Sequence, residues 1–183
     1  AASIIQKIIS FFYFTVLARI VGVENTGQYF FALTFTTIFT VVADFGFGNT
    51  LTREAAKFPE RSQTYVATAF WSKIIFGIGT YALIILVSDL LNYPLSLKLL
   101  IALSGVTMLF DNLQTVFYSL LRSRSNLLYE AFGLIGSQLL TLIIGGIALY
   151  KHWPLYSLII AYTIPSLCNL LYASIVVRRV THL

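Results

Sequence analysis

Charge is scarce in this sequence, and so are the residues that usually build metal sites and disulfides. Of the 183 residues, 10% are Asp, Glu, Lys or Arg, and there are one cysteine and two histidines. A single cysteine, Cys168, excludes an intrachain disulfide, and His152 and His182 give no metal-ligand spacing. The Gly-x-Ser-x-Gly, His-Glu-x-x-His and phosphate-loop motifs of common enzymes are also missing. We therefore predict no metal site, no cofactor and no catalytic constellation.

Apolar residues are abundant instead. They make up 58% of the chain, and the mean hydropathy is +0.84. Soluble domains usually carry about 25% charged residues, because much of their surface must face water. A bilayer is itself an apolar solvent and removes this requirement. The composition predicts an all-α, polytopic membrane protein.

Six segments are long and apolar enough to cross a bilayer, which takes about 20 residues per helix. Their continuous apolar character favours helices over barrel strands, which alternate and are about 10 residues long. No linker divides them, so residues 1–183 are predicted to form one six-helix transmembrane bundle. A short amphipathic helix is expected at 51–58, ended by Pro59. The predicted spans are 4–22, 28–47, 64–88, 97–121, 127–150 and 155–177.

The basic residues predict the orientation of this bundle. With six spans, eight of the twelve Lys and Arg residues fall on the side of the two termini: Lys7, Arg53, Lys57, Arg61, Arg122, Arg124, Arg178 and Arg179. The opposite side carries Arg19, Lys98 and Lys151. Because cytoplasmic loops are enriched in Lys and Arg, both termini are predicted to be cytoplasmic.

Two ionisable residues lie deep inside predicted spans. Lys73 is about 13 Å and Asp111 about 15 Å from the same side, at 1.5 Å per residue. Their matching depth predicts an ion pair, either purely structural or lining a water-filled cavity. Arg19, Asp44 and Glu130 lie closer to span ends, where contact with lipid headgroups is the alternative to a functional role.

Polar residues also recur along one face of the fourth span. Their spacing of three and four places them together on a helix, and a face that is polar throughout favours water over lipid. They are Ser104, Thr107, Asp111, Thr115, Tyr118 and Arg122. In the fifth span, small residues four apart predict a packing seam: Gly133, Ser137, Thr141 and Gly145. Pro165 predicts a kink in the sixth.

One stretch of the sequence is similar to a known family. Residues 17–60 read LARIVGVENTGQYFFALTFTTIFTVVADFGFGNTLTREAAKFPE. The stretch resembles the opening of Wzx-type polysaccharide (O-antigen) flippases of the multidrug/oligosaccharidyl-lipid/polysaccharide exporter superfamily. Residues 121–131 resemble that family's cytoplasmic turn. The matching positions are Arg19, Gly22, Glu24, Gly27, Tyr29, Asp44, Phe45, Gly46, Arg53, Glu54 and Ala55.

The resemblance implies a prokaryotic inner-membrane transporter that moves undecaprenyl-diphosphate-linked oligosaccharide between leaflets. It also implies two lobes around a central cavity. This chain is long enough for one, so we expect an amino-terminal half, partnered by a missing carboxyl-terminal lobe or a second copy. Besides membrane lipids, the lipid-linked oligosaccharide is the expected partner, and nucleic acid is not.

The resemblance also suggests roles for the charged residues. Arg19 and Lys73 would attract the diphosphate, while Asp44 and Asp111 would hold these cations or bind a coupling ion such as H+ or Na+. The expected cavity lining also includes Thr107, Thr115 and Tyr118, and the cytoplasmic entrance Arg53, Arg61 and Arg122.

Three other functions stay open from the sequence. One is a related exporter of drugs or of a peptidoglycan lipid precursor. Another is a non-transporting membrane scaffold whose buried charges only lock helices together. The third is an intramembrane enzyme, whose acids would be Asp44, Asp111 and Glu130. Water access along residues 104–118 separates a transporter from a scaffold.

Overall fold

The structure is a computed structural model and describes residues 11, 15–44, 47–124 and 127–181. Within these ranges all regular secondary structure is helical, which confirms the predicted all-α class. Predicted features at Lys7, Phe45, Gly46 and most of the first span lie outside the described residues. Helix α1 is described over residues 15–21. The other helices are α2 (Val23–Asp44), α3 (Phe47–Lys57), α4 (Ser62–Leu90), α5 (Leu95–Ser123), α6 (Leu127–Tyr150) and α7 (Leu155–Thr181), with a 3-10 turn at Pro59–Arg61.

The connection between α1 and α2 is tighter than the gap of five residues between the predicted spans 4–22 and 28–47. Only Gly22 interrupts the helices, with a φ of 85° that favours glycine. Thr26 donates both its backbone N–H and its hydroxyl to the Gly22 carbonyl, at 3.1 and 2.6 Å. The polar residues after Gly22 therefore form the first turn of α2, where Glu24 suits the positive end of the helix dipole.

Two apolar clusters hold the bundle at its opposite ends. The first joins α1, the beginnings of α2, α5 and α7, and the ends of α4 and α6; its members include Leu17, Tyr29, Ile84, Ile101, Leu149 and Ile159. The second joins α3, the beginning of α4 and the ends of α5 and α7, and includes Leu51, Ala55, Val66, Val116, Leu121 and Val177. Successive long helices therefore run antiparallel, and α5 packs against α2, α3, α4 and α7.

Four of the described helices, α4 to α7, are long and apolar enough to cross a membrane. Their outer surfaces carry large exposed apolar side chains, such as Trp71 and Ile75 on α4 and Phe132 and Ile143 on α6. Helix α2 has 22 residues but includes five threonines and is not among the four. The chain has the character of a membrane protein, and the count of six spans remains a prediction.

The amphipathic helix predicted at 51–58 is present as α3 and begins four residues earlier, at Phe47. Its buried side is formed by Leu51 and Ala55, while Arg53 and Lys57 are exposed. Helix α3 lies at the end of the bundle that holds the second cluster. The described residues at that end include seven cations, namely Arg53, Lys57, Arg61, Arg122, Arg124, Arg178 and Arg179.

Candidate polar site inside the helix bundle

Lys73 is the most buried ionisable residue described, with 1% of its surface exposed on the inner side of α4. Its ammonium donates to Asp44 Oδ1 at 2.6 Å, to Asn112 Oδ1 at 2.8 Å and to Thr115 Oγ1 at 2.5 Å. It also lies 3.2 Å from the Asn112 carbonyl oxygen. An ammonium buried in this way is stable only because a carboxylate and several oxygens replace its hydration.

The predicted pair between Lys73 and Asp111 is therefore wrong. The matching depth placed Lys73 at the correct turn of α5. It did not identify which residue of that turn points toward α4, since adjacent residues on a helix differ by about 100° in direction. Asn112 faces α4 and receives the ammonium, whereas Asp111 faces α7. Asp44, at the end of α2, supplies the carboxylate and pairs with Lys73.

Asp111 is bound by neutral donors. Its Oδ1 accepts hydrogen bonds from Ser166 Oγ at 2.5 Å and from Gln114 Nε2 at 3.2 Å. Among the described residues no Lys, Arg or His pairs with it. The two carboxylates predicted for the interior thus have different surroundings, one neutralised by a cation and one not.

The other polar residues of α5 reach several helices. Ser104 donates to the Ala32 carbonyl of α2 at 3.1 Å. Thr107 lies 2.6 Å from Thr163 of α7, and Tyr118 donates to Asn169 Oδ1 at 2.5 Å. The predicted polar face is thus turned toward the bundle, but each residue meets a different neighbour.

Three adjoining cavities share Asp111 as a lining residue. One, of about 440 Å³, lies between α2, α5 and α7 and is lined by Thr34, Thr36, Thr37, Thr40, Thr107 and Tyr162, among others. Another, of about 470 Å³, lies between α2, α3 and α5 and includes Asp44, Asn112, Thr115 and Arg122. The third, of about 240 Å³, lies between α5, α6 and α7. Cavities of this size have room for water, and their polar lining atoms provide it with hydrogen-bond partners.

Of the small residues predicted to form a packing seam on α6, some pack against neighbouring helices and others line a cavity. Gly133 packs closely, because a Cβ there would meet the Tyr118 hydroxyl and Asn169 Oδ1. Ser137 and Thr141 instead line the third cavity, which corrects their interpretation as packing residues. Pro165 lines the same cavity. Helix α7 does not end at this proline but continues to Thr181.

The remaining cations lie at the ends of the bundle. Arg19, Arg53 and Arg61 are exposed, and Arg53 interacts with Glu54 at 3.2 Å. Arg122 forms a two-point interaction with Glu130, with Nε to Oε2 at 2.7 Å. Because Glu130 is 8% exposed and engaged in this way, headgroup contact was the wrong alternative for it.

From the sequence, α7 was assigned a kink at Pro165 but no role in lining a cavity. Tyr162, Thr163 and Ser166 face α5 and its cavities, together with Asn169. These residues recur at spacings of three and four around Pro165, which is the pattern already used for α5. The same pattern in α7 therefore predicts a polar face on this helix as well. No group of three or more His, Cys, Asp or Glu residues lies together in the described part of the chain.

Comparison with known proteins adds the family. A family model described as polysaccharide biosynthesis protein matches residues 1–182. Neither a curated protein nor a solved structure matches the chain significantly. Since the family match extends over nearly the whole chain, the chain belongs to the family of polysaccharide biosynthesis proteins.

Proposed function

We propose that this chain is one lobe of a flippase that moves undecaprenyl-diphosphate-linked oligosaccharide across the cytoplasmic membrane. Family membership supports a role in polysaccharide synthesis or export. The observation that carries the finer proposal is the group of three cavities meeting at Asp111 inside a bundle with an apolar exterior. A sugar and a diphosphate cross hydrocarbon poorly, and a hydrated polar interior lowers that barrier.

The cavity chemistry suits a sugar. The first cavity is rich in threonine hydroxyls. Those of Thr36, Thr37 and Thr40 donate to carbonyls of their own helix, so they offer acceptor oxygens to the hydroxyls of a sugar. In the cavity beside α3, Asn112 carries a buried Nδ2 with no partner among the described residues. A buried N–H without an acceptor is costly, so this amide favours an oxygen-rich ligand.

Among the cations, accessibility separates two groups. Arg19, Arg53 and Arg61 are exposed and able to meet a diphosphate directly. Lys73 is enclosed by its acceptors and reaches a phosphate only after Asp44 releases it. In this proposal the cation-rich end faces the cytoplasm by the positive-inside rule, and the exposed arginines there form the entrance.

Cysteine labelling tests whether the interior is wet. Thr37 and Ile38 are adjacent and exposed on α2, but only Thr37 lines the first cavity and the cavity beside α3. In a background with Cys168 replaced by serine, Thr37→Cys should react with a charged thiol reagent and Ile38→Cys should not. A scaffold predicts that neither reacts, and that result would refute the flippase.

An export test addresses the cations. Arg19→Gln and Lys73→Gln, in the complete gene product, should each reduce surface polysaccharide at unchanged membrane level, as judged by immunoblot. Lys151→Gln is the matched control, since Lys151 is an exposed cation at the opposite end from α3 and contacts Trp153. Normal export with both Arg19 and Lys73 replaced would contradict their role. Transport of a drug or a peptidoglycan precursor instead would replace the proposed substrate.

A further inference from the structure

A further cavity lies outside the polar interior of the bundle, between α3 and α4. It has a volume of about 410 Å³ and shares no lining residue with the three cavities that meet at Asp111. Its lining includes the buried Leu51 and Ala69 and the exposed Thr64 and Thr68, and most of its surface is apolar. The cavity is therefore an open apolar groove on the outside of the bundle, which we call the α3–α4 groove.

Helix α4 extends this groove toward the middle of the predicted span. Thr64, Thr68, Trp71 and Ile75 follow one another at spacings of three and four, so they lie on one face of the helix. Trp71 is 64% and Ile75 68% exposed. From Thr64 to Ile75 the helix rises roughly 16 Å, close to half of the hydrocarbon core of a bilayer, which is about 30 Å thick. The face is therefore long enough to follow an acyl chain through one leaflet.

Three exposed cations lie on the helix and the turn that form one side of this groove. The Glu54 carboxylate lines the groove and lies 3.2 Å from Arg53 Nε and 3.8 Å from Lys57 Nζ. Arg61 belongs to the turn that joins α3 to α4, next to the exposed Glu60. Exposed ion pairs contribute little to stability, so these cations can exchange a carboxylate for a phosphate at small cost. Three cations and two carboxylates leave this surface with one net positive charge.

We propose that the α3–α4 groove binds an anionic phospholipid of the surrounding bilayer. Its headgroup meets Arg53, Lys57 and Arg61, and one acyl chain lies along α4 as far as Ile75. The net positive charge favours an anionic headgroup over a zwitterionic one, as it does for basic amphipathic helices at membrane surfaces. This lipid is bound and not transported, so the inference does not rest on the proposed function. Because Arg53 and Arg61 also belong to the proposed entrance, a lipid-linked phosphate is the competing occupant.

The fluorescence of Trp71 reports on a chain in the groove. The sequence contains two tryptophans, so Trp153→Phe leaves Trp71 as the only one. The purified protein is placed in phosphatidylcholine vesicles with increasing fractions of phosphatidylglycerol whose brominated acyl chains quench tryptophan on contact. Brominated phosphatidylglycerol should associate at Trp71 about fivefold more strongly than brominated phosphatidylcholine. Arg53→Gln combined with Lys57→Gln should abolish this preference, because the groove then has more carboxylates than cations.

The matched control is Arg178→Gln combined with Arg179→Gln. It removes two exposed cations from the same end of the bundle, but from α7, and should keep the preference. An equal loss in both double variants would reveal only a general attraction of anionic lipid to the cation-rich end, and would overturn the site. Equal association of the two brominated lipids with the protein that retains all its cations would overturn it as well.

A second pair of variants tests the groove itself. Thr68→Phe fills the groove and keeps every cation, so it should also abolish the preference, whereas Ala67→Phe, at the adjacent exposed position outside the groove, should not. Full preference in Thr68→Phe would mean that no chain occupies the groove and would contradict the proposal. Unbrominated undecaprenyl phosphate should relieve the quenching no more than an equal amount of unbrominated phosphatidylglycerol. Much stronger relief would assign the groove to the transported lipid instead.

Discussion

Helices α4 and α5 have the same length, 29 residues, but are held in the bundle in different ways. The buried residues of α4 form one stripe of mostly small side chains with a single ionisable member: Ser62, Val66, Ala69, Lys73, Gly77, Thr80, Ile84 and Ser88. Helix α5 buries residues on several sides and contacts α2, α3, α4 and α7, with fewer contacts to α6.

This difference shows which contacts specify the arrangement of each helix. Between helices in lipid, apolar burial gives little net driving force, because lipid tails are as apolar as leucine. Packing and polar contacts must therefore determine how helices associate. Helix α4 depends on one buried ammonium, whereas α5 distributes its polar contacts over several neighbours. Substitutions at each kind of contact test whether the two helices are held in these different ways.

The largest effect is expected from Asp44→Asn. The substitution leaves the Lys73 ammonium fully buried without its carboxylate, and breaking a buried pair typically costs about 3–5 kcal/mol. Lys73→Met should cost less, because the Asp44 side chain is 43% exposed and keeps much of its hydration. The free energy of unfolding, measured in mixed micelles by denaturant titration, gives both values.

The control for this pair of variants is Asp89→Asn, which breaks an exposed pair with Lys98 and should cost about 1 kcal/mol or less. If Asp44→Asn cost no more than Asp89→Asn, α4 would not depend on its buried cation. If Lys73→Met cost as much as Asp44→Asn, the partial exposure of Asp44 would not lower the cost of losing its partner.

A smaller effect is expected from Gly133→Ala, where α6 meets α5 and α7. The added Cβ would overlap the Tyr118 hydroxyl and lie 2.6 Å from Asn169 Oδ1, so it should disturb their hydrogen bond. Overpacking of this kind usually costs about 1–3 kcal/mol. The same unfolding measurement applies.

Gly136→Ala is the matched control on the same helix, since its Cβ would meet nothing within 4 Å. Alanine is the better helix former there, so stability should be unchanged or slightly higher. Equal destabilisation by the two substitutions would mean that α6 tolerates no added methyl anywhere, and the specific contact with Tyr118 would lose its support.

The sequence predicts the helices, the amphipathic α3 and the depth of the buried charges, because composition and spacing determine these locally. It does not predict which neighbour a charge meets. Asp111 and Asn112 are adjacent in sequence, yet one faces α7 and the other receives Lys73. That outcome depends on the rotation of α5 about its axis, which is set by packing against several helices at once.

Glu130 illustrates a second limit of the sequence. It lies eight residues after Arg122, and the two are on different helices separated by a turn. The helical spacing rules for ion pairs do not apply across such a turn. The burial of Glu130 therefore depends on the angle between α5 and α6, and no local pattern in the sequence predicts that angle.

The smallest effect is expected at the hydroxyl pair of Thr107 and Thr163. The two hydroxyls lie 2.6 Å apart, so one donates to the other. Each also lies near a carbonyl of its own helix, Thr163 at 2.9 Å from Ile159 and Thr107 at 3.3 Å from Leu103. A double-mutant cycle with valine at both positions should give a coupling energy near 0.6 kcal/mol, the average for such membrane hydrogen bonds.

The control cycle pairs Thr107 with Thr141, whose hydroxyl bonds to the Ser137 carbonyl of its own helix at 3.0 Å. Those two substitutions should be additive to within about 0.5 kcal/mol. A coupling of about 2 kcal/mol or more between Thr107 and Thr163 would give α5 a dominant contact of its own and remove its contrast with α4. A value near the average would mean that many weak contacts together stabilise α5, so that replacing a single hydroxyl has little effect on it. Loss of one carboxylate, by contrast, destabilises α4.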